Sequence, residues 1–69
     1  MSGNWNLTRC SVSADFQLAE SAVKTFGTEL AECPMGKTPT KRQVQKMREL
    51  VRNAVHYLSH IEENLGGLE

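Results

Sequence analysis

Each half of the chain repeats apolar residues at alternating intervals of three and four positions. In the first half the repeat consists of Phe16, Ala19, Val23, Phe26, Leu30 and Cys33. In the second half it consists of Val44, Met47, Val51, Ala54, Leu58, Ile61 and Leu65. Because this spacing places each set along one side of an α-helix, each side needs another helix to cover it. The two repeats therefore predict two amphipathic helices that pack against each other.

The segment between the two repeats predicts a turn. It holds two prolines and a glycine, which a helix interior does not tolerate without cost. Thr40 and Gln43 then fit a capping box at the start of the second helix. We therefore predict an all-α fold, a helical hairpin of two long antiparallel helices over residues 13–66. Its parts are a first helix over 13–33, a turn over 34–39 and a second helix over 40–65.

The two ends of the chain lack the three-and-four repeat. Residues 1–12 are polar, with Trp5 and Leu7 two positions apart, which predicts a short extended N-terminal arm. Residues 67–69 are assigned to a tail of the kind that a cloning vector adds.

A chain of 69 residues has little interior as a hairpin. Below about 70–80 residues a single core rarely supplies more than ~3–5 kcal/mol, so a partner chain is a common remedy. Apolar side chains also flank the repeat of the second helix, and the resulting face is wider than one helix covers. We therefore predict a homodimer that forms a four-helix bundle. The predicted dimer core comprises Val51, Ala54, Leu58 and Ile61.

Basic residues are concentrated in one part of a chain whose net charge is zero. Six of the eight lie within residues 37–52. Lys41 and Arg42 would lie at the positive end of the second helix dipole, where a cation is disfavoured by about 0.3–1 kcal/mol. This indicates a surface for an acidic protein or another anion, unless these residues pair with Glu29 and Glu32 of the first helix. The predicted surface comprises Lys41, Arg42, Lys46, Arg48 and Arg52.

The remaining polar groups give weak signals. His56 and His60 are four positions apart and are weak candidates for a metal site, but two solvated histidines explain the spacing equally simply. No metal and no cofactor are therefore predicted. Cys10 and Cys33 would be separated by most of the first helix, too far for a disulfide. Two free thiols favour a reducing compartment, and we predict a cytoplasmic protein.

These features together predict a binding protein rather than an enzyme. The main hypothesis is a small helical regulatory or adaptor protein that acts through protein contacts as a homodimer. The alternative is a nucleic-acid-binding dimer, such as a plasmid- or phage-type accessory regulator, which would use the basic half of the second helix. Neither a membrane-spanning segment nor a small-molecule substrate is expected.

Overall fold

The computed structural model describes residues 5–68, which form two helices packed side by side. Helix α1 runs over Trp5–Ala31 and helix α2 over Lys41–Gly66. The early part of α1 contacts the late part of α2, as Ser11 does with Asn64, and the late part of α1 contacts the early part of α2. The hairpin is 53 Å long and about 15 Å across. The prediction of an all-α antiparallel hairpin is confirmed.

The predicted extended arm is wrong for the part of it that the structure describes. Residues from Trp5 onward are helical, so α1 begins eight positions before the predicted start at Ser13. Trp5 and Val12 continue the seven-residue spacing of Ala19, and the Ser11 Oγ accepts a 3.2 Å hydrogen bond from the Asn64 amide. Packing against α2 therefore stabilises helix in a polar segment of modest helix propensity. Residues 1–4 of the arm and residue 69 of the tail lie outside the described residues.

The capping box at the start of α2 is present. The backbone N–H of Gln43 donates to the Thr40 hydroxyl oxygen at 3.1 Å, and the Thr40 N–H donates to the Gln43 side-chain oxygen at 2.8 Å. Both contacts satisfy N–H groups that would otherwise have no partner at a helix start. Residue Lys41 is therefore the first of α2, one position later than predicted.

The turn between the helices depends on Gly36. Its φ of +88° lies in the left-handed region, which other residues rarely adopt. The Lys37 N–H donates to the Pro34 carbonyl oxygen at 3.3 Å, closing a four-residue turn with Gly36 at the third position. That is the position at which a type II turn requires glycine. Helix α1 ends at Ala31, two residues before the predicted end.

The contact between the helices is centred on small side chains. Among the described residues only Ala19, Ala22 and Ala54 are buried, and no large side chain is fully buried. The helices can therefore approach closely, but three alanines remove little apolar surface from water. Both cysteines are free, as predicted. Cys10 is exposed, and Cys33 is half-buried rather than fully buried because it lies in the turn just after the end of α1.

Candidate functional site

Helix α1 turns one row of large apolar side chains away from α2. Phe16, Val23 and Leu30 are spaced by seven residues and are each more than half exposed. Since seven residues make nearly two full helical turns, all three lie on one side of α1. The next row, which includes Val12 and Phe26, is half-buried between this side and α2. The apolar repeat of α1 therefore faces α2 along one row and solvent along the other.

Helix α2 has the same arrangement. Val44, Val51, Leu58 and Leu65 are also spaced by seven residues, and each is between 38% and 51% exposed. Met47 and Ile61 occupy the neighbouring, half-buried row. On the far side of that row lies a further half-buried row, which is polar at both ends and apolar in the middle and is formed by Gln43, Leu50, Tyr57 and Asn64. The large aliphatic side chains of α2 therefore lie mainly outside the contact within the hairpin.

The exposed rows of the two helices lie on the same side of the hairpin. Leu30 and Phe26 line one open groove together with Val44 and Val51. At the far end of α1 a second depression is lined by apolar residues that include Trp5. We call this side the open face. It comprises Trp5, Val12, Phe16, Val23, Phe26 and Leu30 of α1, and Val44, Met47, Val51, Leu58, Ile61 and Leu65 of α2.

The four predicted dimer-core residues occupy different places. Val51 and Leu58 lie on the open face and are about half exposed. Ile61 is half-buried at its inner edge. Ala54 is already covered by α1, with 9% of its surface exposed. Three of the four are thus available to a partner, and Ala54 belongs to the contact between the two helices of one chain.

The candidate metal ligands are not brought together as a site. The Nδ1 of His60 lies 2.5 Å from the Asp15 Oδ2 of α1, so His60 has a partner within the chain. His56 is exposed, and its ring contacts the edge of Tyr57 with 5.6 Å between the ring centroids. Within residues 5–68 no three His, Cys, Asp or Glu side chains converge as metal ligands.

The predicted basic surface divides into two parts. Lys46 lies 3.0 Å from Glu29 of α1, so this ion pair lies within the chain. Arg42 borders the depression that holds Glu29 and Glu32. In contrast, Arg48 and Arg52 line the rim of the open groove. Within the described part of the chain, Lys46 is the one member of the predicted surface that forms an ion pair.

The first turns of α1 also contribute to the open face, although an extended arm was predicted there. Trp5 and Val12 line a depression with Phe16, and Arg9 lies among them. The signal was present, because Trp5, Val12, Ala19 and Phe26 are each seven residues apart. Arg9 interrupts the apolar row, and its aliphatic stem can cover apolar surface while its guanidinium reaches water at the end of the hairpin.

Comparison with known proteins adds no identification. No family model matches the chain, and neither curated proteins nor solved structures give a significant match. Over the described residues, neither helix has a stretch that is both long and apolar enough to cross a bilayer.

Proposed function

We propose that this chain is a non-enzymatic helical protein that forms a homodimer and acts as a regulatory or adaptor module through protein contacts. The open face is the observation that carries the proposal. Its large side chains, such as Phe16 and Leu58, are about half exposed, whereas the buried core is three alanines. Contiguous apolar surface of this extent marks a protein interaction site. The two free cysteines favour a reducing compartment such as the cytoplasm.

The dimensions of the open face suit a second copy of the chain. A side 53 Å long and 15 Å wide offers roughly 800 Å². A stable interface buries about 800 Å² on each partner, so one copy of the hairpin is enough to cover this face. Two hairpins placed face to face would form a four-helix bundle, in which three of every seven positions of each helix point inward.

Sedimentation equilibrium of the native chain tests this proposal. We expect a mass of twice the 7.7 kDa chain at micromolar concentration, together with one cooperative thermal transition whose midpoint rises with protein concentration. The midpoint should depend on concentration because folding and association are coupled in a dimer. A well-folded monomer over the whole micromolar range would contradict the proposal.

A second candidate function is nucleic-acid binding by the same dimer. It is favoured by the four members of the basic surface that form no ion pair within residues 5–68, namely Lys41, Arg42, Arg48 and Arg52. Lys41 and Arg42 lie in the first turn of α2, which contains no acidic residue. Their charges oppose the helix dipole, and a phosphate or a carboxylate at this point would relieve the repulsion.

Neutralising the start of α2 distinguishes a functional role of this surface from a structural one. In Lys41→Gln/Arg42→Gln we expect an unchanged or slightly higher melting temperature, because a repulsion of about 0.3–1 kcal/mol per charge with the dipole is removed. Affinity for a mixed-sequence DNA duplex should fall if the alternative is correct. The native protein should then lose affinity with salt, with a log–log slope of about −0.9 per neutralised phosphate.

Lys24→Glu provides a control with the same net change of two charges, on an exposed position of α1. It should weaken DNA binding less than the double variant does, if the start of α2 is the contact surface. A loss of stability above ~1 kcal/mol in the double variant would instead show that the two residues mainly support the fold. Absence of salt-dependent DNA binding in the native chain would leave the protein-contact function.

A further inference from the structure

We propose that the two copies pack open face to open face about a twofold axis perpendicular to the helices. In this arrangement the interhelical turns lie at opposite ends of the bundle, and Arg48 of each copy pairs with Glu62 of the other. The inference rests on the proposed homodimer and specifies its geometry. It follows from the spacing of side chains along the open face and from the alignment of the two helices within one chain.

The apolar residues of the exposed row of α2 are placed symmetrically about the middle of the row. Val51 and Leu58 are equally distant from a point between residues 54 and 55, and so are Val44 and Leu65. A twofold axis at that point would place each valine of one copy against a leucine of the other. Each of these pairs joins a smaller and a larger aliphatic side chain, so the pairs would fill the space between the two copies of α2 evenly.

Helix α1 has a matching centre. Phe16 and Val23 are equally distant from a point between residues 19 and 20, and Val12 and Phe26 are equally distant from Ala19. A twofold axis near Ala19 would pair each phenylalanine with a valine of the second copy. Bulky and smaller side chains would therefore alternate across the interface of α1, as they do across that of α2.

One axis can pass through both centres. The contacts Ser11–Asn64, Asp15–His60 and Glu29–Lys46 each join residues whose numbers total 75. The centre of α1, between residues 19 and 20, is therefore level with residues 55 and 56 of α2. That is about one residue, or ~1.5 Å, from the centre found independently on α2. The symmetry of each row thus agrees with the observed packing of the hairpin.

The charged side chains at the rim of the open face favour this arrangement over its main competitor, in which the twofold axis is parallel to the helices. Next to the exposed row of α2 lies a row formed by Arg48, Val55 and Glu62, again at intervals of seven. With the axis across the helices, Arg48 of one copy meets Glu62 of the other, twice per dimer, and Val55 meets Val55. Opposite charges on neighbouring helices favour this pairing and set the orientation of the partners.

The competitor has the twofold axis parallel to the helices and both turns at one end. The alignment within the hairpin then places Arg48 beside Gly27 of the second copy, and Glu62 beside Ser13. Val55 would face Glu20 of the second copy. This arrangement forms neither Arg48–Glu62 pair and sets a carboxylate against an aliphatic side chain.

The perpendicular axis brings Glu20 of α1 close to Glu20 of the second copy, which is one unfavourable contact. Lys24 lies one helical turn away on the same side of α1, in the favourable order of glutamate before lysine. Its ammonium group offsets part of the repulsion. Two Arg48–Glu62 pairs therefore outweigh one screened pair of like charges.

The arrangement also fixes where the basic surfaces lie. Each copy carries Lys41 and Arg42 beside its own turn, so the bundle would present one basic end at each extremity, with the two copies of Lys41 about 40 Å apart along the helices. An acidic partner could then engage each end independently. With the turns together, the same residues would form a single surface of doubled charge.

Distances between spin labels test the arrangement on the full chain. A label at Met35→Cys, in a Cys10→Ser/Cys33→Ala background, reports the distance between the two turns, and Met35 is fully exposed. We expect about 50 Å or more, given the 53 Å length of the hairpin. A distance of about 25 Å or less would overturn the proposed geometry, because neighbouring helices are only 8–10 Å apart.

Gln17→Cys in the same background is the control, since Gln17 is exposed and lies near the proposed axis. Its label pair should be within roughly 30 Å in either arrangement, because adjacent helix axes are 8–10 Å apart. Absence of dipolar coupling at Gln17 would contradict the homodimer itself. A short distance at both sites would contradict only the orientation, so the two failures are distinguishable.

Exchanging the charges of the rim pair gives a second test. Arg48→Glu should weaken dimerisation about tenfold, and Arg48→Glu/Glu62→Arg should restore it to within about threefold of the native value. The two residues of one chain are ~21 Å apart along α2, so recovery requires contact between copies. A double variant that dimerises as weakly as Arg48→Glu would overturn the pairing.

Discussion

Leu58→Asp is expected to dissociate the dimer and to unfold most of the chain at micromolar concentration. Leu58 is half exposed in the hairpin and lies near the middle of the open face of α2. Covering a leucine contributes about 1.5–3 kcal/mol, and twofold symmetry doubles the loss. A buried carboxylate without a partner adds a desolvation cost of several kcal/mol. The dissociation constant should therefore rise more than a hundredfold, measured by sedimentation equilibrium.

Leu18→Asp is the matched control for this substitution. Leu18 is 48% exposed and Leu58 is 51% exposed, so an isolated hairpin would respond similarly to both changes. However, Leu18 lies about 200° around α1 from Phe16, on the side away from the open face. Its replacement should leave the dimer intact and alter stability by less than about 1 kcal/mol. Equal effects of the two substitutions would argue against the open face as the dimer interface.

Ala19→Leu is expected to lower the melting temperature markedly by forcing the two helices apart. Ala19 is the most buried of the three buried alanines, with 3% of its surface exposed. Three additional carbon atoms have no space at this contact, and such overpacking typically costs 1–3 kcal/mol. For a chain of this size each kcal/mol corresponds to about 4–8 °C. Circular dichroism melts at several protein concentrations would measure the shift.

Ala14→Leu is the control for the added volume, because Ala14 is exposed on the outer side of the same helix. Alanine and leucine have similar helix propensities, so this change should leave the melting temperature nearly unchanged. If Ala19→Leu proved as stable as the native protein, the close contact at the centre of the hairpin would be absent in solution.

The amino-acid sequence determined the helices through purely local patterns. The alternation of three and four positions marked both helical sides, and Pro34 to Pro39 marked the turn. The reciprocal hydrogen bonds of Thr40 and Gln43 set the start of α2 to within one residue of the prediction. Each of these signals acts between residues that are close in sequence. The positions of the helices and of the turn can therefore be predicted without knowledge of the tertiary contacts.

The position at which α1 begins could not be predicted from the same kind of local pattern. Residues between Trp5 and Val12 are mostly polar and short, and their alternation resembled that of an extended arm. Their helical state depends on contact with the end of α2, as between Ser11 and Asn64. Such a contact joins residues more than fifty positions apart. Local propensity carries no information about it.

Only the tertiary structure decided which side of each apolar repeat faces the other helix. The repeat of α1 is flanked on one side by Asp15 and Glu29, and these polar residues face α2, where they meet His60 and Lys46. The turn occupies nine residues after Ala31, which aligns Glu29 with Lys46 rather than with the start of α2 as predicted. The rotation of one helix against the other depends on packing of both at once. The periodicity of the sequence identifies the apolar side of each helix only to within one or two rows of residues. Packing of the two helices then decides which of these rows is buried and which remains exposed to solvent.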